Sequence, residues 1–318
     1  MHATKIRITA RTGSFLTKLT IFIQCHNRPA YARCAIESAL RQTNQDFRLV
    51  ISDNSSNDEL CCLVHAEFPG LDYRRRAPTL PAIDHFNTSI SEADTDFLCL
   101  FHDDDLMEPG YVDAMLETIE LHPYAMAYSC NAKIINEEVV LKGGSFESRD
   151  PYVIIENPRA LAGRYFSRFP NGFAPFPAYI YRSSVVKNIP LNPQTGGKYS
   201  DVTWLLEISK IGPIVWNSKK LIRYRIHATN DGGFESTRDR LRLLGYLKMN
   251  SSFVGQAIIS DYRFFLYKKL YKTWLIDRKF PVKYAKIFNR YLLMYRLKRF
   301  FKSETYAYLY YKLGKLFS

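Results

Sequence analysis

Three consecutive aspartates, Asp103, Asp104 and Asp105, follow the apolar run Phe97–Phe101 and a single histidine, His102. Adjacent carboxylates repel one another, and beside an apolar run they need a cation to neutralise them. Such hard oxygen donors suit a divalent ion, Mn²⁺ or Mg²⁺, which keeps its other positions for water and phosphate oxygens. A plainer reading stays open, because acidic residues ahead of Glu108-Pro109 would also favour the dipole of a following helix. Other chemistry-bearing residues are scattered through the chain. Asn27 and Arg28 follow LTIFIQC, Asp53 follows FRLVIS, Ser200-Asp201 precede VTWLLEISK, and His227 ends RYRIH. Singly, each has a bland role: Asn and Asp shape turns, Ser or Asp caps a helix, and a lone histidine is more often structural.

What gives these residues a common address is the pattern of elements around them. Short β-rich apolar runs alternate with helical patterns, which reads as an α/β sheet covered by helices. The spacing predicts strands at 19–25, 47–52, 71–75, 96–101 and 124–130, with helices opening at Pro29 and near 58–67, 82–93 and 109–121. Residues 131–199, punctuated by Gly and Pro, read as loops and a substrate-facing insert. A helix at Asp201–Lys210 and separate strands near 214–217 and 221–226 follow. In an open parallel sheet, ligands bind beyond the carboxyl ends of the strands, and Asn27, Arg28, Asp53 and Asp103–Asp105 all stand there. Arg74, Arg75 and Arg76 could meet phosphates, but a solvated strand edge is the simpler reading. Trp204 is spaced with Leu205 and Ile208 as core.

Taken in order, these segments resemble the family 2 glycosyltransferases of the GT-A fold. TIFIQCHNRPAYARCAIESALRQT is similar to that family's first strand, Asn-Arg turn and Ser-x-x-x-Gln helix end (Ser38, Gln42). FRLVISDNSSND is similar to its second strand with the Asp-x-x-Ser-x-Asp signature, and FLCLFHDDDLMEPGYV to its strand ending in a DxD motif. The likeness covers about residues 19–130 and, more weakly, 178–230. It implies an inverting, non-processive enzyme using a UDP-linked sugar donor with Mn²⁺ or Mg²⁺. By the same resemblance, Asp53 contacts the nucleotide base, and Asn27 and Arg28 help form its pocket. Asp103 and Asp104 belong to the nucleotide-binding set, Asp103, Asp105 and His227 to the metal, and Asp201 is the base that deprotonates the acceptor. Two departures stand out: His102 occupies the place of the first aspartate in Asp-x-Asp-Asp, and Ser200 that of a glutamate before the base. The Gln-x-x-Arg-Trp motif of the processive synthases is absent, so the implied product is one or a few sugars added to a lipid-linked or cell-envelope glycan.

Charge divides the 318 residues unevenly. The chain carries a formal +13, but Glu235–Ser318 alone hold 19 Lys and Arg against 5 Asp and Glu, and 20 of the 46 aromatic residues. This predicts a nearly neutral body joined to a basic aromatic helical region (235–318), and the resemblance makes the body, after an N-terminal extension (1–18), a catalytic domain (19–234) with a nucleotide-binding half (19–130) and an acceptor half (131–234). Basic amphipathic helices suit an anionic membrane surface, and the expected location is the cytoplasmic face of the cell membrane as a peripheral protein. Packing of those helices on the body is the bland alternative. RNA binding through the same region, with a non-catalytic body, is the competing function, disfavoured by the acidic triplet. The six cysteines lack CxxC spacing, and neither disulfides nor a cysteine metal site is expected.

Overall fold

A computed structural model describes residues 17–136, 139–168, 170–227 and 236–276, with side chains to residue 269. The first half alternates strand and helix: β1 (Leu19–Cys25), α1 (Pro29–Leu40), β2 (Arg48–Asp53), α2 (Glu59–Glu67), β3 (Asp72–Arg75), α3 (Ala82–Glu92) and β4 (Phe97–His102). The short β5 (Leu106–Met107), α4 (Tyr111–Leu121) and β6 (Ala127–Asn136) follow. Strands β3, β2, β1 and β4 lie side by side and parallel, in that order. Parallel strands covered on both faces must be apolar on both faces. Accordingly β1 is buried along its whole length. Its alternate residues feed two cores: Phe22, with Leu98 and Leu100 of β4, lies in one, whereas Ile21 and Ile23, with Cys99 and Phe101, lie in the other.

The segment 131–199 is more regular than its glycine and proline content predicts. It continues β6 to Asn136 and adds β7 (Val139–Lys142), β8 (Tyr152–Ile155), α5 (Pro158–Phe166), β9 (Ile180–Arg182), α6 (Ser183–Val186) and α7 (Pro193–Gly196). Strand β9 inserts antiparallel between β4 and β6, so the sheet continues past the parallel half. Short strands of three or four residues carry too little periodicity to be read locally; pairing with long neighbours creates them. Helix α8 (Ser200–Ile211) then leads into β10 (Ile214–Arg225), which is one strand parallel to β6. The two separate runs expected there are joined across register shifts between Asn217 and Ile222.

Beyond it come α9 (Thr237–Met249), α10 (Ser251–Val254) and α11 (Gln256–Ile276). A complete capping box at Ser236 and Asp239 starts α9, each side chain accepting from the other's backbone N–H. Leu243, Leu244, Tyr246 and Leu247 of α9 are buried in the same core as Trp204 and Leu205. At about 1.5–3 kcal/mol per buried apolar side chain, this burial binds the start of the basic region firmly to the body. The remainder of that region, 277–318, and the extension 1–16 lie outside the described residues.

Candidate active site

The carboxyl ends of β1, β2 and β4 bring the polar residues together. After β1 the chain must turn abruptly, and Asn27 takes a left-handed conformation (φ 53°), which asparagine tolerates better than most residues. Its N–H donates to Ser55 Oγ (2.9 Å), its Nδ2 donates to Ser56 Oγ (3.0 Å), and its Oδ1 accepts from the Ser56 N–H (2.9 Å). Asn27 therefore stitches the β1 turn to the β2 turn. At the other end of α1, Gln42 donates to the Glu108 carbonyl (2.8 Å) and accepts from the Val112 N–H (3.0 Å), while Ser38 Oγ accepts from the Met107 N–H (3.1 Å). Thus the Ser-x-x-x-Gln helix end holds the segment that follows the aspartates.

Asp53 is fully buried. One oxygen accepts from the Ser55 N–H (2.8 Å), and the other accepts from the Tyr73 hydroxyl (2.5 Å) and the Arg75 guanidinium (3.0 Å). The arginine run of β3 is thus not a solvated edge. Arg75 pairs with Asp53, and Arg76 donates to Ser52 Oγ (2.8 Å) and pairs with Glu92, which also pairs with Arg74. The reason is topological: β3 is the sheet's edge strand, and its register sets Arg75 opposite Asp53.

The three aspartates have three different environments. Asp103 turns back to β1, accepting from the His26 N–H (3.0 Å) and pairing with Arg28 (2.5 Å). Burial pushes its carboxyl up to about 7, against the pull of Arg28. Asp104 pairs with Arg28 (2.7 Å) and lies 3.0 Å from His227 Nε2. Burial raises its pKa, but His102, Arg28 and His227 together hold it below the usual carboxylate range. Asp105 accepts from the Arg225 N–H (2.8 Å) through Oδ1, while its buried Oδ2 accepts no hydrogen bond from any described residue and lies 3.8 Å from His102 Nδ1. Burial first, then Asp104 and Asp103, push Asp105 well up.

Donor atoms of His102, Asp104 and Asp105 all lie within 4.8 Å of one another. A buried carboxylate oxygen without a hydrogen bond is costly unless something cationic meets it, and an imidazole with two carboxylates is a donor set that a Mn²⁺-type ion accepts. This convergent set differs from the expected Asp103, Asp105 and His227. Asp103 faces Arg28, and His227 touches the set through Asp104. Successive side chains leaving a strand diverge, so only the fold decides which of three neighbours points where. His102, read as a departure, is one of the three donors.

Tyr31, Tyr73 and Arg225 were invisible as site residues in the sequence, and Arg75 was set aside there as a solvated edge. The Arg225 guanidinium, almost fully buried, donates to the Asp104 carbonyl (2.9 Å) and stacks 4.9 Å over Tyr31, whose ring lies 5.1 Å from that of His227. Arg28 at one side and Arg225 at the other balance two of the three carboxylates. Arg225 ends a strand in a region of little motif signal, and nothing in its neighbours marked it.

Asp201 sits in the first turn of α8, where backbone N–H groups favour its charged form. Burial pushes its pKa up to about 6. Its charge, after burial and the charges of Asp105 and Asp104, adds to the rise of the Tyr224 hydroxyl's pKa. Trp204, one turn on, is core as its spacing predicted.

Comparison with known proteins agrees with this architecture. The model of "Glycosyl transferase family 2" matches residues 20–189, just over half of the chain. Protein CgeD of Bacillus subtilis is 26% identical over 128 residues, which are 37% of this chain and 30% of that protein. A protein of Haemophilus influenzae described as an uncharacterized glycosyltransferase is 27% identical over 105 residues, 33% of this chain and 35% of its own. The chain therefore spans about a third of the curated relatives it matches. Among solved structures, S. aureus TarS 1-349 in complex with UDP-GlcNAc superposes with a TM-score of 0.57 at 15% identity, covering 81% of this chain and 72% of that one. The mannosyltransferase PcManGT of Pyrobaculum calidifontis, in complex with GDP-Man and Mn²⁺, gives 0.50 at 12% identity, covering 92% and 84%. With the order of strands, the turn at Asn27, the acidic end of β4 and the matching family model in agreement, the chain belongs to glycosyl transferase family 2 and has the GT-A fold.

Proposed function

We propose that this protein transfers a sugar, with inversion, from a UDP-linked donor to a lipid-linked or cell-envelope glycan, with a divalent cation at the end of β4. The observation that carries the reading is the convergence of His102, Asp104 and Asp105 around the unsatisfied Asp105 Oδ2. A Mn²⁺ or Mg²⁺ ion held there would neutralise charge developing on the leaving diphosphate. The protein's own groups do the rest. Arg28 and Arg225 fix the orientation of the carboxylates, Asn27 holds the β1 and β2 turns as one surface, and Asp201 takes the acceptor hydroxyl's proton as that oxygen attacks the sugar C1. A carboxylate poised near 6 is charged at neutral pH yet more basic than an ordinary aspartate, which suits a general base. The complexes of TarS with UDP-GlcNAc and of PcManGT with GDP-Man and Mn²⁺ support a nucleotide-sugar donor and a divalent ion in general.

Thermal melts test the donor and the metal together. At about 100 times Kd, UDP contributes about 2.7 kcal/mol, which for a chain of this size raises the melting temperature by roughly 4 °C. The rise is expected with Mn²⁺ or Mg²⁺ and is largely lost in EDTA. Equal shifts with and without metal would remove the cation from the proposal, and preference for GDP or CDP would replace the uridine.

Peripheral attachment to an anionic membrane is part of the same proposal. No described helix is long and apolar enough to cross a membrane. Yet Met249 and Phe253 are 78% and 51% exposed where α9 meets α10, beside Lys248 and Lys210. Aromatic and aliphatic insertion would add to about 1 kcal/mol for each nearby Lys or Arg. The full chain is expected to sediment with vesicles containing anionic lipid at low salt and to be released as salt screens the attraction. Because α9 is built into the core, the matching variant is Met249→Asp with Phe253→Asp, which should stay in the supernatant. Binding indifferent to lipid charge, or retained by the double variant, would refute this attachment.

A further inference from the structure

Phe173 is 44% exposed although it lies on a loop that is firmly pinned. The loop's start is held where the Arg168 N–H donates to Asp261 (3.0 Å), a carboxylate that is itself buried on α11. The Glu147 N–H donates to the Asn171 carbonyl (2.8 Å), and Gly172 pairs as a bridge with Phe146. Gly172 has φ +79°, and a Cβ there would come 2.2 Å from the Ser145 carbonyl oxygen, so only glycine allows this approach. A chain fixed so closely presents its next residue in a defined place. The Phe173 ring lies nearly parallel on Tyr165 of α5, with centroids 4.4 Å apart and planes 19° apart.

Two contacts locate this pair within the site. Three residues on, Phe176 packs 5.8 Å from the ring of His102, one of the three convergent donors. On the other side, α5, which carries Tyr165, packs against α8, whose first turn holds Asp201. The exposed ring therefore stands between a segment that reaches the donor end of the site and a helix packed on the one that carries the candidate base. An aromatic ring held in place on Tyr165 and still 44% exposed suits a flat partner with an apolar face. A pyranose ring is such a partner, since its C–H groups cluster on one side while its hydroxyls stay directed to water. Rigidity also lowers the ordering cost of binding.

We infer that the Tyr165–Phe173 pair is the stacking platform for a pyranose ring of the acceptor, so that the acceptor is a glycan with a sugar at or next to its reacting end. The inference rests on the glycosyltransferase reading and deepens it. Saturation-transfer NMR on the full chain with Mg²⁺ and UDP tests it, using methyl glycosides of glucose, galactose, mannose and N-acetylglucosamine as probes. At least one glycoside should receive saturation at its ring C–H protons. Phe173→Ala should weaken that binding about fivefold to tenfold, the scale of one lost stacking contact, while Phe173→Trp keeps it. The UDP signal should be the same in all three proteins, which also shows that each is folded. UDP bound normally with no glycoside signal, or with a signal indifferent to Phe173→Ala, would overturn the platform and leave the glycosyltransferase reading standing. Loss of UDP binding by the unaltered chain would overturn both.

Discussion

Asp201→Asn should lower turnover by about 10²–10⁴ with the donor's affinity nearly unchanged, because asparagine keeps the size and the acceptor oxygen at the head of α8 but cannot take a proton. In the native protein the same group sets the acid limb of the rate profile. With a pKa of about 6, turnover should be flat near pH 8, half-maximal near pH 6 and about tenfold lower for each further unit of acid. The sign for stability is the reverse. A carboxyl whose folded pKa lies above its unfolded value of 3.8 binds more protons when folded between those two values, so its contribution to stability grows as pH falls through 6 towards 3.8 and is lost above 6. At pH 7 the charged, half-buried Asp201 is therefore a cost, and the asparagine variant should melt no lower than the native chain. Turnover near normal, measured as product formed per enzyme with saturating donor, would reduce Asp201 to an acid of the first turn of α8 that favours the helix dipole. Glu207, the other acid of α8, is a poorer substitute because it already binds Lys210 and the Tyr246 hydroxyl.

Asp105→Asn should abolish the metal-dependent part of the UDP melting shift and lower turnover by about 10²–10³, since a neutral amide replaces the carboxylate with the unsatisfied oxygen. The metal-free variant should be at least as stable as the native protein. Its amide oxygen can still accept from the Arg225 N–H, and a buried acid next to two others is gone. This opposite movement of metal-linked and intrinsic stability separates loss of a ligand from loss of fold. A variant that keeps its Mn²⁺-dependent shift would exclude Asp105 from the cation site.

The nucleotide-facing half was readable because its signals are local. Apolar runs of β-branched and aromatic residues, each broken by a polar turn, marked β1, β2 and β4 and placed Asn27, Asp53 and Asp103–Asp105 at their carboxyl ends. Ser38 and Gln42 were legible as a motif, and the structure supplies their physical role in bracing the segment after the aspartates. Around β7, β8 and β9 the same method failed. Strands of three or four residues exist there because a long neighbour offers hydrogen bonds, and no periodicity within them announces it. The arginines at and after β3 were misjudged for a related reason: β3 is an edge strand, but its arginines are half-buried against partners, Asp53 and Glu92, that come from other elements.

By itself, then, the order of residues determined the alternation of strands and helices, the clustering of acid at the end of β4 and the concentration of positive charge after residue 235, all of which depend on near neighbours in the chain. Tertiary structure alone decided which acid does what. Asp103 is drawn to Arg28 and the His26 N–H, Asp104 is shared between Arg28 and His227, and one oxygen of Asp105 accepts from no described residue and lies beside His102. Three identical neighbouring side chains carry no local difference. Their differences come from strands and turns that are 75 to 123 residues away in the chain, and electrostatic energies that depend on ångström-scale distance and burial arise only once those segments meet.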